Sequence, residues 1–250
     1  MIEIMNGKVF AATFKRNFII MFRAYPKDFF IGNVLTGFYT VVGALFMYKM
    51  LFNETVDEKF ISFSGTGDYM SYVILGSLTY IYVVRTCLNV SRSLITELRE
   101  GTLESLMITP FNRGEYFIGN MLQQTVATTF EVSVSLIIAL PFGLNLSNIN
   151  PISFIIALLL ALYGFFGLSM VLASIMLYTR DTYISQNTLF VSILLMCGVT
   201  FPVDYLPSAL RWIGELIPVT EISNLIRGSA LLGKGALEQL DIIVRRKSVV

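Results

Sequence analysis

The chain contains no histidine. Without an imidazole, Ser-His-Asp and Cys-His nucleophilic systems and every histidine-containing metal site are excluded together. Charge is scarce as well. Only 14% of the 250 residues are Asp, Glu, Lys or Arg, while 55% are hydrophobic; soluble domains carry roughly 25% charged residues. A chain this poor in charge cannot cover a water-facing surface, which points to a single integral membrane domain. The two cysteines, Cys87 and Cys197, fall inside apolar runs, where a thiol acts as a small hydrophobe rather than as half of a disulfide or metal pair. Eighteen Lys and Arg against seventeen Asp and Glu leave a net charge of +1, so there is no argument for a nucleic-acid partner. The N-terminus lacks a cleavable signal pattern, because polar and basic residues continue to Arg23 before any long apolar run. It is expected to be retained.

What the chain does have is a succession of apolar runs. A bilayer core about 30 Å thick takes about 20 helical residues to cross. Five stretches qualify: 29–48, 69–91, 116–140, 152–178 and 182–201. The fold class is therefore an all-α polytopic membrane protein, one domain over residues 1–250. Ahead of the first span, 8–25 places Phe10, Phe14, Phe18, Met21, Phe22 and Tyr25 at helical spacing, with Lys8, Lys15, Arg16 and Arg23 on another face. Such a helix lies in the headgroup layer rather than crossing. The alternative is a helix of a soluble core. Lys and Arg near the span ends favour a cytoplasmic N-terminus, which puts the 53–67 loop outside and the segment 97–116 inside. After the fifth span, prolines at 202, 207 and 218 break 202–233 into pieces too short to cross. Leu206, Leu210, Ile213 and Ile217 recur at helical spacing there. Non-helical backbone at membrane depth needs protein or water around it, so short re-entrant helices packed on the bundle are expected.

The segment 97–116, "ELREGTLESLMITPFNRGEY", is charged and glycine-punctuated between two apolar spans. Gly101 breaks the preceding helix, Thr102 suits an N-cap, and Glu104 falls in the first turn, where the helix dipole favours an anion. Leu103, Leu106 and Met107 form a short apolar face. Pro110 ends the helix, because the residue before a proline is pushed towards extended geometry. A helix of two turns is not stable alone and suits a knob that docks on another protein. The alternative is an ordinary loop of solvated charge.

These residues carry a resemblance. "ELREGTLESLMITPFNRGEYFIGN" is similar to the loop between the second and third spans of type-2 ABC transporter permeases, with Glu97, Arg99, Glu100, Gly101, Thr102, Leu103, Glu104 and Pro110 in the family's places. The interfacial helix, five spans and proline-broken outer segment extend the likeness along nearly the whole chain. The resemblance implies an export permease, not an enzyme by itself, working as a homodimer or with a related permease. It also implies two copies of a separate ATPase that binds ATP and Mg. In the family this loop is a coupling helix against that ATPase, so Glu97, Arg99, Glu100, Gly101, Thr102, Leu103, Glu104, Leu106 and Met107 are its coupling residues here. A bacterial plasma membrane follows by the same analogy. The family's sixth span would follow Gly233, where "KGALEQLDIIVRRKSVV" offers no run long enough to cross; truncation relative to the usual family length is the expectation.

Two charges lie well inside spans, Arg85 and Glu131. Intramembrane ionisable residues are functional candidates by default. Counted from the cytoplasmic ends of the expected spans at about 1.5 Å per residue, they sit at different depths, so direct pairing is not expected. A snorkelling Arg85 and a Glu131 bonded to Ser, Thr or Asn is one reading; a part in cargo passage is the other. By analogy with the family, Tyr72, Thr79, Asn187 and Ser192 would line the path. "GSALLGKG" at 228–235 nearly spells a phosphate-binding loop, but it lacks the final Ser or Thr and a preceding strand. The competing functions are an intramembrane enzyme, for which Arg85 and Glu131 at different depths do not qualify, and a passive channel or membrane scaffold without ATP coupling.

Overall fold

The computed structural model describes residues 7–24, 26–51, 57–109, 112–179 and 183–240. Regular structure among them is helical throughout. In chain order it comprises α1 (Lys8–Ala24), α2 (Pro26–Phe46), α3 (Glu58–Ser64), α4 (Tyr69–Arg99), α5 (Leu103–Ile108), α6 (Arg113–Ala139), α7 (Pro151–Thr179), α8 (Tyr183–Met196), α9 (Ser208–Leu216) and α10 (Pro218–Leu231). Proline opens α2, α7 and α10. At a first helical position its missing N–H costs nothing and its fixed φ suits the helix.

The 31-residue α4 runs through the centre, packed on α7, α6, α10 and α2. Against it α7 turns a stripe of mostly small residues four apart, Ser153, Ala157, Ala161, Phe165, Ser169 and Ala173, all buried. Small side chains let two helix backbones approach closely, which is how helices associate where lipid supplies no hydrophobic drive. One apolar cluster joins Val41 and Ala44 of α2 to Phe60, Tyr72, Ile74 and Leu78 at the end of the bundle near α10. A second joins Val83 and Cys87 of α4 to Ala161 and Phe165 of α7, Ile193 of α8, Cys197, and Ile222 and Leu225 of α10. Both cysteines are buried and free, as their apolar setting suggested.

By length and composition, three described stretches are able to cross a membrane: Tyr69–Arg99, Arg113–Phe142 and Pro151–Thr179. The expected first span falls within α2 and its continuation Met47–Leu51. Two expectations change. The second span was drawn to residue 91, but α4 continues unbroken to Arg99. The fifth was drawn over 182–201, but α8 ends at Met196 after 14 residues. Apolarity continues past Met196; the helix does not, because Gly198 turns with φ 69 and Arg227 takes its carbonyl.

The proline-broken segment after α8 forms the short helices α9 and α10. α9 keeps one buried residue, Gly214, while α10 buries most of its length on α7 and α4. Gly228 to Leu231 are helical and buried within α10, so the resemblance to a phosphate-binding loop ends there.

Candidate functional site

α4 ends in a Schellman turn. Gly101 takes the left-handed φ of 70, its N–H donates to the Leu98 carbonyl at 3.3 Å, and the Thr102 N–H donates to the Glu97 carbonyl at 2.9 Å. The turn reverses the chain directly into α5, six residues with none buried. Thr109 beyond it is extended, ψ 131, as the residue before Pro110 should be; Pro110 itself lies outside the described residues. Leu103 and Leu106 are half-buried, so the outward apolar surface is Met107, 37% exposed, and Ile108, 84% exposed. Leu98 on the last turn of α4 adds to it at 42%. Sequence spacing had placed Leu103 and Leu106 on that surface and missed Ile108. Arg99, Glu100, Gly101, Thr102 and Glu104 are exposed around it.

Thr102 does not cap α5 with its side chain, contrary to expectation. Its backbone is helical and its hydroxyl donates to the Glu97 carboxylate instead. Glu97 is the anchor of the whole turn. Only 6% exposed, it accepts from Arg16 Nη2 at 2.8 Å and from the Tyr116 hydroxyl at 3.4 Å. One carboxylate thus ties α1, the end of α4, the start of α5 and the start of α6. Burial pulls the Arg16 guanidinium down, but the Glu97 hydrogen bond and charge carry it above its ordinary value.

The same polar fastening runs along α1. The buried Glu115 carboxylate accepts from the Gly7 and Phe10 N–H groups, both at 3.3 Å, and so caps α1 from another helix. A side chain at Gly119 would come 3.0 Å from Thr13 Cβ and 3.1 Å from the Phe10 carbonyl. Glycine is what lets α1 lie so close on α6. Asn17 donates to Asn120, and Gln123 donates to Met21 Sδ at 3.4 Å. Phe10, Phe14, Phe18 and Phe22 stack in a ladder, with centroids 6.3, 5.9 and 4.6 Å apart. Asn112 starts α6 by accepting from the Gly114 and Glu115 N–H groups.

Deeper in the bundle, Arg85 and Glu131 do meet: Nη2 lies 3.2 Å from Oε1. The separate depths assigned from sequence came from ending the second span at Ser91. Counted along the real helices, Arg85 is fourteen residues from Arg99 and Glu131 eighteen from Arg113, about 21 and 27 Å. The arginine side chain covers that difference. Tyr72 and Thr79, expected on a cargo path, are 5% and 4% exposed. Tyr72 lies under the Arg227 guanidinium, 3.6 Å from its ring centroid, and the Thr79 hydroxyl donates to the Leu75 carbonyl. Asn187 is exposed, and Ser192 is half-exposed with its hydroxyl on the Thr188 carbonyl.

Arg227 escaped notice in the sequence. It is 5% exposed and donates to three backbone carbonyls, Tyr72 at 3.1 Å, Gly198 at 2.7 Å and Val199 at 2.6 Å. The guanidinium therefore holds α10, α4 and the turn after α8 together. A Cβ on Gly76 would be 1.9 Å from its Nη2 and 2.1 Å from the Val199 carbonyl, so glycine is required opposite it. Nothing in "SNLIRGSA" separates this arginine from an exposed one.

The long apolar helices and the small-residue packing on α4 fit an all-α polytopic membrane protein. Consistent with that class, the chain matches the family model for ABC-2 type transporters over residues 8–231, and it belongs to that family. It is also similar to the probable multidrug ABC transporter permease YbhR of Escherichia coli, in strain K12 and in O157:H7. The match is 22% identical over 169 residues, covering 64% of this chain and 44% of the relative. The chain spans less than half the length of the curated relatives it matches.

Proposed function

We propose that this chain is the membrane-spanning subunit of an ATP-driven exporter, and that α5 couples it to a separate ATPase. The observation that carries this reading is the contrast at α5: an apolar surface of Leu98, Met107 and Ile108 left open on a turn that is fastened from behind by Glu97, Arg16, Tyr116 and Thr102. A loop of merely solvated charge needs neither the fastening nor the exposed isoleucine. With a cytoplasmic N-terminus, α5 faces the cytosol, where an ATPase loaded with ATP and Mg would meet it.

Force on α5 passes into α4 through the Schellman turn and into α1 and α6 through Glu97. Motion of α4 and α6 would then switch a cavity shared with a second permease copy, identical or related, between inward and outward access. The ATPase drives that switch only through different affinities for the two states. In family members the ATPase is expected to be a separate subunit, and the membrane a bacterial plasma membrane.

The test is co-purification of the full chain with its cognate ATPase. Ile108→Asp and Met107→Asp together should release the ATPase while leaving the permease folded. Replacement of 101–104 by a flexible polar stretch should do the same. Undiminished co-purification after both changes would remove the mechanical role of α5.

A further inference from the structure

Between Glu3 and Asp28 the chain carries five cations, Lys8, Lys15, Arg16, Arg23 and Lys27, and no carboxylate. At about 100° per residue, Lys8, Lys15 and Arg23 of α1 fall within about 80° of arc, and all three are exposed. The carboxylates that reach α1 from other helices are already engaged. Glu97 is buried on Arg16, Thr102 and Tyr116, and the buried Glu115 accepts from the Gly7 and Phe10 N–H groups. Among the described residues no ion pair uses Lys8, Lys15 or Arg23.

α1 therefore has three sides. Thr13, Asn17 and Met21 face α6, where Gly119, Asn120 and Gln123 meet them. The stacked Phe10, Phe14, Phe18 and Phe22 form a second side, half-buried along most of its length and 37% exposed at Phe22. The cations form the third, with Ile19, 40% exposed, between them. Depth follows from α6. The stretch Arg113–Phe142 is about 45 Å long, longer than a hydrocarbon core of roughly 30 Å, and Arg113, Asn120, Gln123 and Gln124 stand in its first twelve residues. That polar end belongs in the headgroup layer, and it is the end on which α1 lies. A helix with bulky apolar residues on one side and Lys and Arg on another binds in that layer and is drawn to anionic lipid.

We propose that the basic side of α1 is a site for anionic phospholipid. Lys8, Lys15 and Arg23 hold the headgroup phosphates, and Phe14, Phe18 and Phe22 lie among the acyl chains beside them. A zwitterionic headgroup brings its own cation, so the site selects headgroups of net negative charge. Arg16, held by Glu97, links the lipid-bound helix to the α5 turn. Binding itself needs neither ATPase nor cargo and is independent of the role of α5.

The full chain carrying Ala12→Cys, an exposed position on the basic side, would be labelled with bimane; Cys87 and Cys197 are buried. It would be placed in phosphatidylcholine nanodiscs doped with nitroxide-labelled phosphatidylglycerol or, at the same fraction, nitroxide-labelled phosphatidylcholine. Each cation near an anionic surface strengthens binding about fivefold, so phosphatidylglycerol should quench at least about fivefold more. The combined variant Lys8→Gln, Lys15→Gln, Arg23→Gln should abolish that preference, whereas Lys8→Arg with Lys15→Arg should keep it. Bimane at Ser133, exposed on α6 well inside the span, should be quenched alike by both lipids and unchanged in the variants, which checks that the bundle is intact. Equal quenching by the two lipids at position 12, or a preference that survives the triple glutamine variant, would overturn the site. Absence of quenching by either lipid would overturn it as well, and would leave the basic side to an acidic protein.

Discussion

Replacing Glu97 by alanine removes the carboxylate that ties the α5 turn to α1 and α6. Its carboxylate accepts from Arg16, Thr102 and Tyr116, and hydrogen bonds to a charged group are worth about 1.5–3 kcal/mol each. These three do not add. The Arg16 side chain is 47% exposed and rehydrates when released, so its share falls towards the ~0–1 kcal/mol of a surface pair. The Tyr116 contact is long, at 3.4 Å, but the residue is 3% exposed and would be left without that acceptor. A net loss of about 2 kcal/mol is expected, or about 30-fold in the equilibrium between docked and loosened α5. Spin labels at Ala12 on α1 and Ser105 on α5 would report it as a broadened distance distribution by pulsed electron resonance. Arg16→Ala should broaden it less, and the double variant should show coupling between the two. If Glu97→Ala leaves the distribution narrow, or if Arg16→Ala equals it, Glu97 is not the anchor.

Further outcomes follow from the same geometry. Gly101→Ala forces a side chain into φ 70 with nothing nearby to clash, so it should cost about 1–2 kcal/mol from backbone strain alone in thermal unfolding, with Gly101→Asn milder. Gly76→Ala places a methyl against Arg227 and the Val199 carbonyl; folded yield should collapse, since backbone cannot yield as a flexible side chain does. Arg227→Met leaves the Gly198 and Val199 carbonyls beyond α8 without this donor and removes the tie to the Tyr72 carbonyl of α4; at about 1–3 kcal/mol per unsatisfied buried group, a loss of about 3 kcal/mol is expected, readable as a drop in melting temperature. Glu131→Leu alone should destabilise the bundle, whereas Arg85→Leu with Glu131→Leu should come close to the parent protein, because replacing both members of an ion pair by apolar groups removes the desolvation cost as well.

Periodicity made the long helices legible, since apolar runs such as 152–178 need no tertiary information to be read. The α5 turn was legible for a related reason: Gly101, Thr109 and Pro110 act through local backbone preference. Where sequence spacing failed, a distant partner decided. Glu97 read as a coupling residue, and its buried anchoring role went unseen because Arg16 lies 81 residues away; Thr102 read as a cap because its hydroxyl had no other visible acceptor. α8 stops early on account of Arg227, 28 residues beyond Val199. Arg85 and Glu131 read as unpaired because the end of α4 was set where apolarity fades at Ser91, not where the helix stops at Arg99. A backbone that stays helical through Arg92 and Thr96 is invisible to a hydropathy count.

The most direct measurement is accessibility of a single thiol at position 108. Cys87 and Cys197 are buried, so Ile108→Cys supplies the reactive sulfur. A membrane-impermeant maleimide should leave sealed cells unlabelled, label inverted vesicles stripped of the ATPase, and lose that labelling when the ATPase is added back. Labelling of sealed cells, or labelling of inverted vesicles that the ATPase does not change, would contradict docking at α5.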